Sequence, residues 1–400
     1  MEANGHRHTF PKDFLWGTAT SAHQTEGNNT NSDWWYWEQN KPAKRKWPLE
    51  ASGIANDSYN RYEEDFDLSV KLNNNAIRIS VEWARIEPEE GKFNEEAFEH
   101  YRKVLKAAKD RGLKTFVTLH HFTSPMWLAK KGGWASFKTP NLFAKYAVKC
   151  VGAFDDLVDA YMTVNEPQVY STYSHLIATW PPQKINPFLT GIVEIVMHLA
   201  HNKAYDAIKK VKNVDVGLTR NIVWYQTHPY RKNFLDELLC KLLNYLTRSL
   251  RIRPGRKNAD FIGIDYYTSF YIKGLWPHAP AQYRSEVGWW VNPKGLEHIL
   301  LQLNKYNIPI YVTENGLADA DDKLRAQFIR GHLIACARAI KQGVNLKGYF
   351  HWSLMDNYEW HQGFWPKFGL VEIDRENNLE RKPRMSFYYY ANICKNNAVV

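Results

Sequence analysis

Cysteine is scarce in this sequence, and the few cysteines present form no recognisable pattern. There are four in 400 residues, and they lie far apart at Cys150, Cys240, Cys336 and Cys394. Structural zinc sites use closely spaced cysteine pairs, and small disulfide-stabilised domains are much richer in cysteine. The spacing therefore excludes a zinc-ribbon or disulfide framework and predicts reduced, partly buried thiols in a reducing compartment.

Long apolar stretches are also missing. A membrane-spanning helix needs about 18 or more consecutive apolar residues, and no segment of the chain approaches that length. The first eight residues, MEANGHRH, lack the apolar centre of a secretory signal. We therefore expect a cytoplasmic protein with no membrane partner.

No low-complexity segment or Gly/Ser-rich linker interrupts the chain, so the sequence shows no domain boundary. Hydrophobic residues make up 44% of the chain and charged residues 24%, which fits a large core inside a polar surface. A single domain of this length lies within the range of α/β barrels. We therefore predict one domain that spans residues 1–400.

Acidic residues are fewer than basic ones, and the formal net charge is +10. The densest basic run occupies residues 248–256. A basic surface can bind nucleic acid or an anionic membrane, but no nucleic-acid-binding motif accompanies this run. We interpret it as a solvated loop before a strand and predict no nucleic-acid partner.

Short β-rich segments alternate with helical patterns along the chain. The clearest helix covers residues 95–111, with Asn94 as a suitable N-cap, and further helices are predicted at 57–72 and 324–341. Strands are predicted at residues 14–19, 76–81, 115–119, 161–164, 216–219, 261–265, 310–312 and 348–350. This alternation indicates a parallel sheet, and eight repeats favour an α/β fold in the form of a single closed (β/α)8 TIM barrel.

Polar or aromatic residues lie near the ends of these predicted strands. In chain order they are Gln24, Arg78 and Glu82, His120 and His121, Asn165 and Glu166, Asn221, Tyr266 and Tyr267, Glu314 and Asn315, and Trp352. The carboxyl ends of barrel strands meet at one face, where (β/α)8 enzymes build their active sites. The pattern therefore predicts a site at this face.

Two short segments indicate the chemistry of that site: TVNEP at residues 163–167 and YVTENG at residues 311–316. Each places a glutamate, Glu166 or Glu314, directly after an apolar strand. A single glutamate in such a place is usually only a favourable charge at a helix N-terminus. Two of them on one barrel face form the pair of carboxyl groups that cleavage of a glycosidic bond requires.

With these motifs, the sequence resembles glycoside hydrolase family one, the β-glucosidase family, over residues 10–391. The matching blocks, in order, are FLWGTATSAHQ at 14–24, RISVEWARI at 78–86, LHHF at 119–122, the two glutamate motifs, and HWSLMDNYEW at 351–360. The resemblance implies a retaining, exo-acting β-glycosidase for a small β-glycoside or short oligosaccharide, with no metal or other cofactor. Terminal β-D-glucosyl, β-D-galactosyl and β-D-fucosyl residues all remain open as substrates, as does the oligomeric state.

The resemblance also implies a role for each matching residue. Glu166 would be the general acid/base and Glu314 the nucleophile. Arg78 would pair with Glu314, Tyr267 would orient it, and Asn165 would bind the sugar 2-hydroxyl. The substrate-binding residues would be Gln24, His121, Asn165, Trp289, Trp352, Glu359, Trp360 and Phe368. Taken alone, a residue such as His121 is more often a core histidine, so these roles depend on the resemblance.

The chain departs from the family pattern in three respects. The segments after Glu166 and Glu314 are short, which predicts a wide mouth and loose selection of the leaving group. Asp265 stands where the family has Asn, so it would either repel Glu314 or pair locally with a base, and Ser124 replaces the usual Leu. Two alternative functions stay open: a transglycosidase that uses the same carboxyl groups, and a sugar-binding protein without turnover.

The family mechanism makes one geometric prediction. In a retaining enzyme the carboxyl groups of Glu166 and Glu314 should lie about 5–5.5 Å apart across one cavity, because no water molecule has to fit between the nucleophile and the sugar. A separation of about 8–9 Å would instead indicate an inverting enzyme. The atomic coordinates provide the measurement.

Overall fold

The structure, a computed structural model, describes residues 7–40, 50–230, 233–246 and 258–400. Eight parallel strands close into a barrel in which each strand pairs with the next along the chain and the eighth pairs with the first. They are β1 Leu15–Ala19, β2 Ala76–Ser80, β3 Lys114–His120, β4 Ala160–Val164, β5 Asp215–Asn221, β6 Phe261–Asp265, β7 Ile310–Asn315 and β8 Leu346–Trp352. The predicted (β/α)8 fold is confirmed, and every predicted strand overlaps one of these eight.

A longer helix follows each barrel strand. These helices are Ser58–Lys71, Glu95–Asp110, Thr139–Phe154, Pro187–Val211, Phe234–Tyr245, Pro293–Leu303, Arg325–Lys341 and Met385–Asn396. The three helices predicted from the sequence are confirmed to within one residue at each end. The side-chain oxygen of Asn94 accepts hydrogen bonds from the backbone N–H groups of Glu96 and Ala97, so it is the N-cap that the sequence predicted.

Shorter elements fill the connections. The short α-helices are Ala22–Thr25, Asp33–Gln39, Trp83–Ile86, Met126–Lys130 and Pro167–His175, and the 3₁₀ helices are Gly133–Ala135, Asp155–Leu157, Asn304–Tyr306 and Trp360–Gln362. Near the chain ends, His8–Thr9 pairs with Ala398–Val399. Val371–Asp374 pairs with Glu380–Pro383, and Trp224–Thr227, Ser269–Lys273 and Trp276–His278 form a three-stranded sheet.

The inward-facing side chains change from apolar to polar along the barrel axis. Residues i and i+2 of a strand share one face, so each strand contributes an inward row. The rows begin with apolar residues that pack together, among them Leu15, Ala76, Phe116, Ala160, Phe261 and Phe350. Two places further along β2 the row reaches Arg78, and four places further along β6 it reaches Asp265. The barrel interior is therefore packed with apolar side chains at the amino ends of the strands and carries ionisable side chains at their carboxyl ends.

Other sequence expectations can be compared directly with the coordinates. All four cysteines are free and buried, which confirms the predicted thiols. Within the described ranges, no helix has both the length and the apolarity needed to cross a membrane. The basic stretch at 248–256 lies outside the described residues.

A buried ion pair connects the segment after β8 to the last helix. Arg384, directly before Met385–Asn396, donates to both carboxylate oxygens of Asp356, with Nη1–Oδ1 at 3.0 Å and Nη2–Oδ2 at 2.9 Å. The backbone N–H of Gly369 also donates to Asp356. Because both charged side chains are buried, neither can be hydrated if its partner is removed.

Asp356→Ala should therefore lower the free energy of unfolding by about 3–5 kcal/mol, because the buried Arg384 charge loses both of its hydrogen bonds to a carboxylate and keeps only a 3.8 Å contact with the exposed Glu372. Urea denaturation at pH 7 measures this. Asp110→Ala is the matched control, because it removes the same group from the exposed pair with Lys106 and should change stability by less than about 0.5 kcal/mol. Equal effects of the two variants would contradict the structural role of the buried pair.

Candidate active site

One cavity of about 420 Å³ opens at the carboxyl ends of the barrel strands. Ten of the twelve predicted site residues line it: Gln24, His121, Glu166, Tyr267, Trp289, Glu314, Trp352, Glu359, Trp360 and Phe368. The other two, Arg78 and Asn165, are buried directly behind the cavity wall and are bonded to each other. The structure thus brings all twelve residues together.

An irregularity in β7 directs Glu314 into this cavity. The pairing of β7 with both of its neighbours shifts register after Val312. In a regular strand, Thr313 and Glu314 would point to opposite faces, and a bulge removes that constraint. Thr313 consequently bonds Asp265 inside the barrel, while Glu314 lines the cavity.

Both carboxylate oxygens of Glu314 are held by hydrogen-bond donors. Arg78 Nη1 lies 2.5 Å from Oε1, and the Tyr267 hydroxyl donates to Oε2 at 2.6 Å. Burial lowers the pKa of Arg78, but the charges of Glu314 and Asp265 outweigh it and raise the pKa above its usual value. Arg78 is therefore a permanent cation, and it stabilises a negative charge on Glu314.

Glu166 stands in a contrasting environment. It is the N-cap of Pro167–His175, and its backbone is left-handed with φ of 39°, a conformation that non-glycine residues avoid unless the surrounding structure imposes it. Its side chain is buried, and within the described part of the chain Oε1 has no hydrogen-bond partner. Burial, followed by the charges of Asp265 and Glu314, raises the pKa of Glu166 well above its usual range. These surroundings favour the protonated form of the side chain.

Three carboxyl groups meet at this point. Oxygens of Glu166, Asp265 and Glu314 all lie within 4.8 Å of one another, a spacing at which they could hold a metal ion. Arg78 already neutralises part of this charge, since Nη1 lies 3.8 Å from Asp265 in addition to its bond to Glu314. Both arrangements expected for Asp265 are therefore present: it lies near a base, Arg78, and the charge of Glu314 repels it and raises its pKa.

Asn165 connects the carboxyl cluster to His121. Its Oδ1 accepts hydrogen bonds from Arg78 Nη2 at 2.5 Å and from the Thr219 hydroxyl at 2.6 Å, and its Nδ2 lies 3.4 Å from His121 Nε2. Burial, with smaller contributions from Arg78 and His120, lowers the pKa of His121 well below its usual value. His121 is thus neutral and able to donate or accept one hydrogen bond in the cavity.

Gln24 and Glu359 form a polar part of the cavity wall. Gln24 Nε2 donates to the backbone oxygen of Tyr358 at 2.8 Å, and it lies 3.5 Å from Glu359 Oε2. Burial and the charge of Glu314 raise the pKa of Glu359 to about 8, against the opposing hydrogen bond from Gln24. At neutral pH the Glu359 carboxyl can both donate and accept a hydrogen bond.

Aromatic rings supply the remaining walls. His121 is nearly parallel to Trp352 and Trp360, with interplanar angles of 12° to each. On another side, Trp289 packs against Tyr267 and Phe368 with ring centroids 5.2 and 5.9 Å apart. Flat apolar surfaces next to fixed hydrogen-bonding groups suit a ring-shaped polyhydroxy ligand, whose C–H faces are apolar and whose edges carry hydroxyls.

The cavity also includes aromatic residues that sequence reasoning missed: Tyr173, Trp180, Tyr225 and Phe270. Trp180 contacts Trp360 and donates from Nε1 to His361 at 2.9 Å. Trp180 lies in the connection that follows β4 and Glu166, and this place in the sequence could have suggested it. Tyr225 and Phe270 lie on paired strands of the small three-stranded sheet, which had no clear sequence signal.

Comparisons with known proteins agree with this geometry. The chain matches the sequence profile of Glycosyl hydrolase family 1 over residues 6–241 and 248–399. It is 29% identical to Beta-glucosidase A of Thermotoga maritima and 30% identical to a Beta-galactosidase of Pyrococcus woesei, covering 98% of each chain in both cases. A solved beta-glycosidase from Pyrococcus horikoshii superposes with a TM-score of 0.91 at 37% identity, with 98% of this chain and 96% of that chain covered.

A further relative is named for a different activity. The chain is 34% identical over 370 residues to a galactolipid galactosyltransferase of Arabidopsis thaliana, and the match covers 85% of this chain and 58% of the plant protein. The family match spans nearly the whole chain, and it coincides with the barrel and with the paired glutamates. The chain is a glycoside hydrolase and belongs to Glycosyl hydrolase family 1.

Proposed function

We propose that this chain is a retaining, exo-acting β-glycosidase that removes terminal β-D-glucosyl residues, and β-D-galactosyl or β-D-fucosyl residues as well. The observation that carries the proposal is the pair Glu166 and Glu314, whose oxygens lie within 4.8 Å of each other in one cavity. Inverting enzymes need about 6.5–9.5 Å between the two carboxyl groups to admit a water molecule. The short separation supports retention.

The first step uses the opposite environments of the two glutamates. A Glu314 oxygen attacks the anomeric carbon, and the bond from that carbon to the leaving oxygen breaks. The proton of Glu166 moves to the leaving oxygen, so the aglycone departs as a neutral alcohol. Arg78 and Tyr267 keep Glu314 negatively charged and oriented before the attack, and burial keeps the proton on Glu166.

The second step releases the sugar. Glu166, now a carboxylate, takes a proton from water while the water oxygen bonds to the anomeric carbon. The ester bond to Glu314 breaks, and Glu314 recovers its negative charge. Two displacements at the same carbon return the β-configuration, which defines a retaining enzyme.

The cavity wall supports exo-action on a neutral terminal sugar. Gln24, His121 and Glu359 offer fixed hydrogen-bonding groups to the sugar hydroxyls, and Trp352 and Phe368 offer apolar surface to its ring. Relatives named as a beta-glucosidase and a beta-galactosidase support activity on both sugars. A panel of aryl β-D-glucosides, galactosides and fucosides would test this, and hydrolysis of none of them would overturn the proposal.

Transglycosylation is the second candidate function, favoured by the similarity to the galactolipid galactosyltransferase. It differs only in the second step, where an alcohol replaces water. Tyr225 and Phe270, which line the cavity, could bind an apolar acceptor. Product analysis with a long-chain alcohol present separates the two functions: a hydrolase releases mostly free sugar, and a transglycosidase releases mostly alkyl glycoside.

Glu314→Gly should abolish hydrolysis of every aryl glycoside, because no nucleophile remains. Added azide should then restore turnover of activated aryl glycosides by a single displacement, which gives the α-glycosyl azide. Product configuration by proton NMR provides the measurement. Wild-type enzyme with azide is the control and should yield no α-product, whereas β-azide from Glu314→Gly would show that the two glutamates have been assigned the wrong way round.

Glu166→Ala should lose about 10²–10⁴-fold in kcat/KM on substrates with poor leaving groups, because the leaving oxygen is no longer protonated. Activated substrates such as 2,4-dinitrophenyl glycosides should still react with Glu314 and then accumulate as the glycosyl-enzyme, visible as a burst in stopped-flow absorbance. Added azide should release the β-glycosyl azide. Equal losses on good and poor leaving groups would contradict the acid role of Glu166.

A further inference from the structure

Asp265, at the end of β6, is a third carboxyl group in the site, and the two-step mechanism does not use it. Its side chain is fully buried. Oδ1 accepts a hydrogen bond from the Thr313 hydroxyl at 2.6 Å and lies 3.8 Å from Arg78 Nη1. Over the ranges that the structure describes, Oδ2 is buried without a hydrogen-bond partner, which leaves it as the oxygen that can carry a proton.

The positive charge near Asp265 can balance only one negative charge among its charged and titratable neighbours. The charged and titratable groups that face it are Arg78 on β2, Glu166 after β4, Glu314 on β7 and Tyr267 directly after β6. Arg78 is the one cation in this set, and its shortest carboxylate contact is with Glu314. A second negative charge would be buried without compensation. The protonated form is therefore favoured for both Asp265 and Glu166.

The surroundings of Asp265 and Glu166 differ in how well they stabilise a negative charge. Burial, followed by the charge of Glu314, raises the pKa of Asp265 to about 8, while Arg78, Thr313 and Thr219 oppose the rise. Burial and then the charge of Asp265 raise the pKa of Glu166 well above its usual range. Asp265 has a hydroxyl donor on Oδ1 and the Arg78 guanidinium at 3.8 Å, whereas Glu166 Oε1 has no partner among the described residues. Asp265 is therefore the acid better placed to carry a charge as the pH increases, and that charge strengthens the hold of Glu166 on its proton.

We propose that Asp265 is a positioning residue that keeps the proton on the acid/base Glu166 as the solution becomes alkaline, and thereby extends activity to higher pH. The inference rests on the proposed function, because it assigns Glu166 the role of proton donor. Asp265 itself touches neither the sugar nor the leaving group in this mechanism, since it does not line the cavity. It acts on Glu166 through its charge, since a carboxyl oxygen of Asp265 lies within 4.8 Å of one of Glu166.

The test is the pH profile of Asp265→Asn, which keeps the shape of the side chain and removes the charge. The alkaline limb of kcat/KM for phenyl glycosides should move to lower pH by about one unit or more, the size expected when a like charge within about 4–6 Å is removed. With 2,4-dinitrophenyl glycosides, whose departure needs no proton, the limb should stay in place. The contrast between substrates isolates an effect transmitted through Glu166.

Asp260→Asn is the matched control. Asp260 precedes β6 at its amino end, about 16 Å from Asp265 along the strand, and it pairs with Lys209. Its profile should coincide with that of the wild type. An unmoved limb in Asp265→Asn with phenyl glycosides would overturn the proposal, and so would an equal shift with both leaving groups, because the charge would then act on Glu314 or on sugar binding.

A second measurement needs neither that variant nor activity. In protein labelled with ¹³C at the aspartate carboxyls, one aspartate should titrate with a midpoint near 8. This midpoint should fall in Glu314→Gln, which removes a neighbouring negative charge, and should stay in place in Glu166→Gln, because Glu166 still carries its proton when Asp265 ionises. Asp33 lies elsewhere in the chain, and its own burial raises its pKa to about 7, so its midpoint should not change in either variant. If no aspartate responds to Glu314→Gln, or if the same midpoint falls in Glu166→Gln, the inference fails. Inactivity of wild-type protein on every glycoside would instead refute the proposed function alone.

Discussion

The site depends on the hydrogen bonds and the positive charge of the Arg78 guanidinium. One guanidinium contacts Glu314, the backbone oxygen of Thr313, the Asn165 side chain and the Thr118 hydroxyl, so it joins groups from β2, β3, β7 and the end of β4. A lysine could not replace it, because an ammonium group lacks the planar set of five donors. Without this cation, the carboxyl cluster would be buried with no positive charge to balance it.

The barrel explains how two residues of the same type acquire opposite properties. Glu314 lies on a strand whose register shift places it against Arg78 and Tyr267, two donors to a carboxylate. Glu166 lies two residues after the end of β4, as the N-cap of Pro167–His175, away from direct contact with the guanidinium and beside other acids. Inside the barrel, Gly263 has no Cβ that would meet Thr219 and Thr313 at about 3 Å, so these side chains can approach Asp265. Strand geometry, rather than residue type, separates the two roles that we propose for these glutamates.

Much of this could be predicted from the sequence, for reasons that particular residues make clear. The eight strands were predictable because β-rich apolar runs alternate with long amphipathic helices, such as Glu95–Asp110 with its Asn94 cap. The paired glutamates were predictable because each comes directly after a short apolar run inside a distinctive motif, although Glu314 lies within β7, which extends to Asn315. The register shift in β7 was not, because a bulge depends on pairing with two neighbouring strands that are distant in sequence. Tyr225 and Phe270 were missed for the same reason, since a strand pairing brings them to the cavity.

The carboxyl cluster also makes the folded state sensitive to pH. Folding raises the pKa of Asp265 and of Glu359 to about 8, from 3.8 and 4.5. Between these limits the folded chain binds more protons than the unfolded chain, so the free energy of unfolding falls as the pH rises through that window. Elsewhere in the same barrel face, Asp356 and Arg384 form a matched pair, and aromatic residues fill the interior. The unmatched carboxyl groups therefore lie where the proposed mechanism needs a proton donor, and contacts elsewhere in the barrel have to offset the cost of burying them.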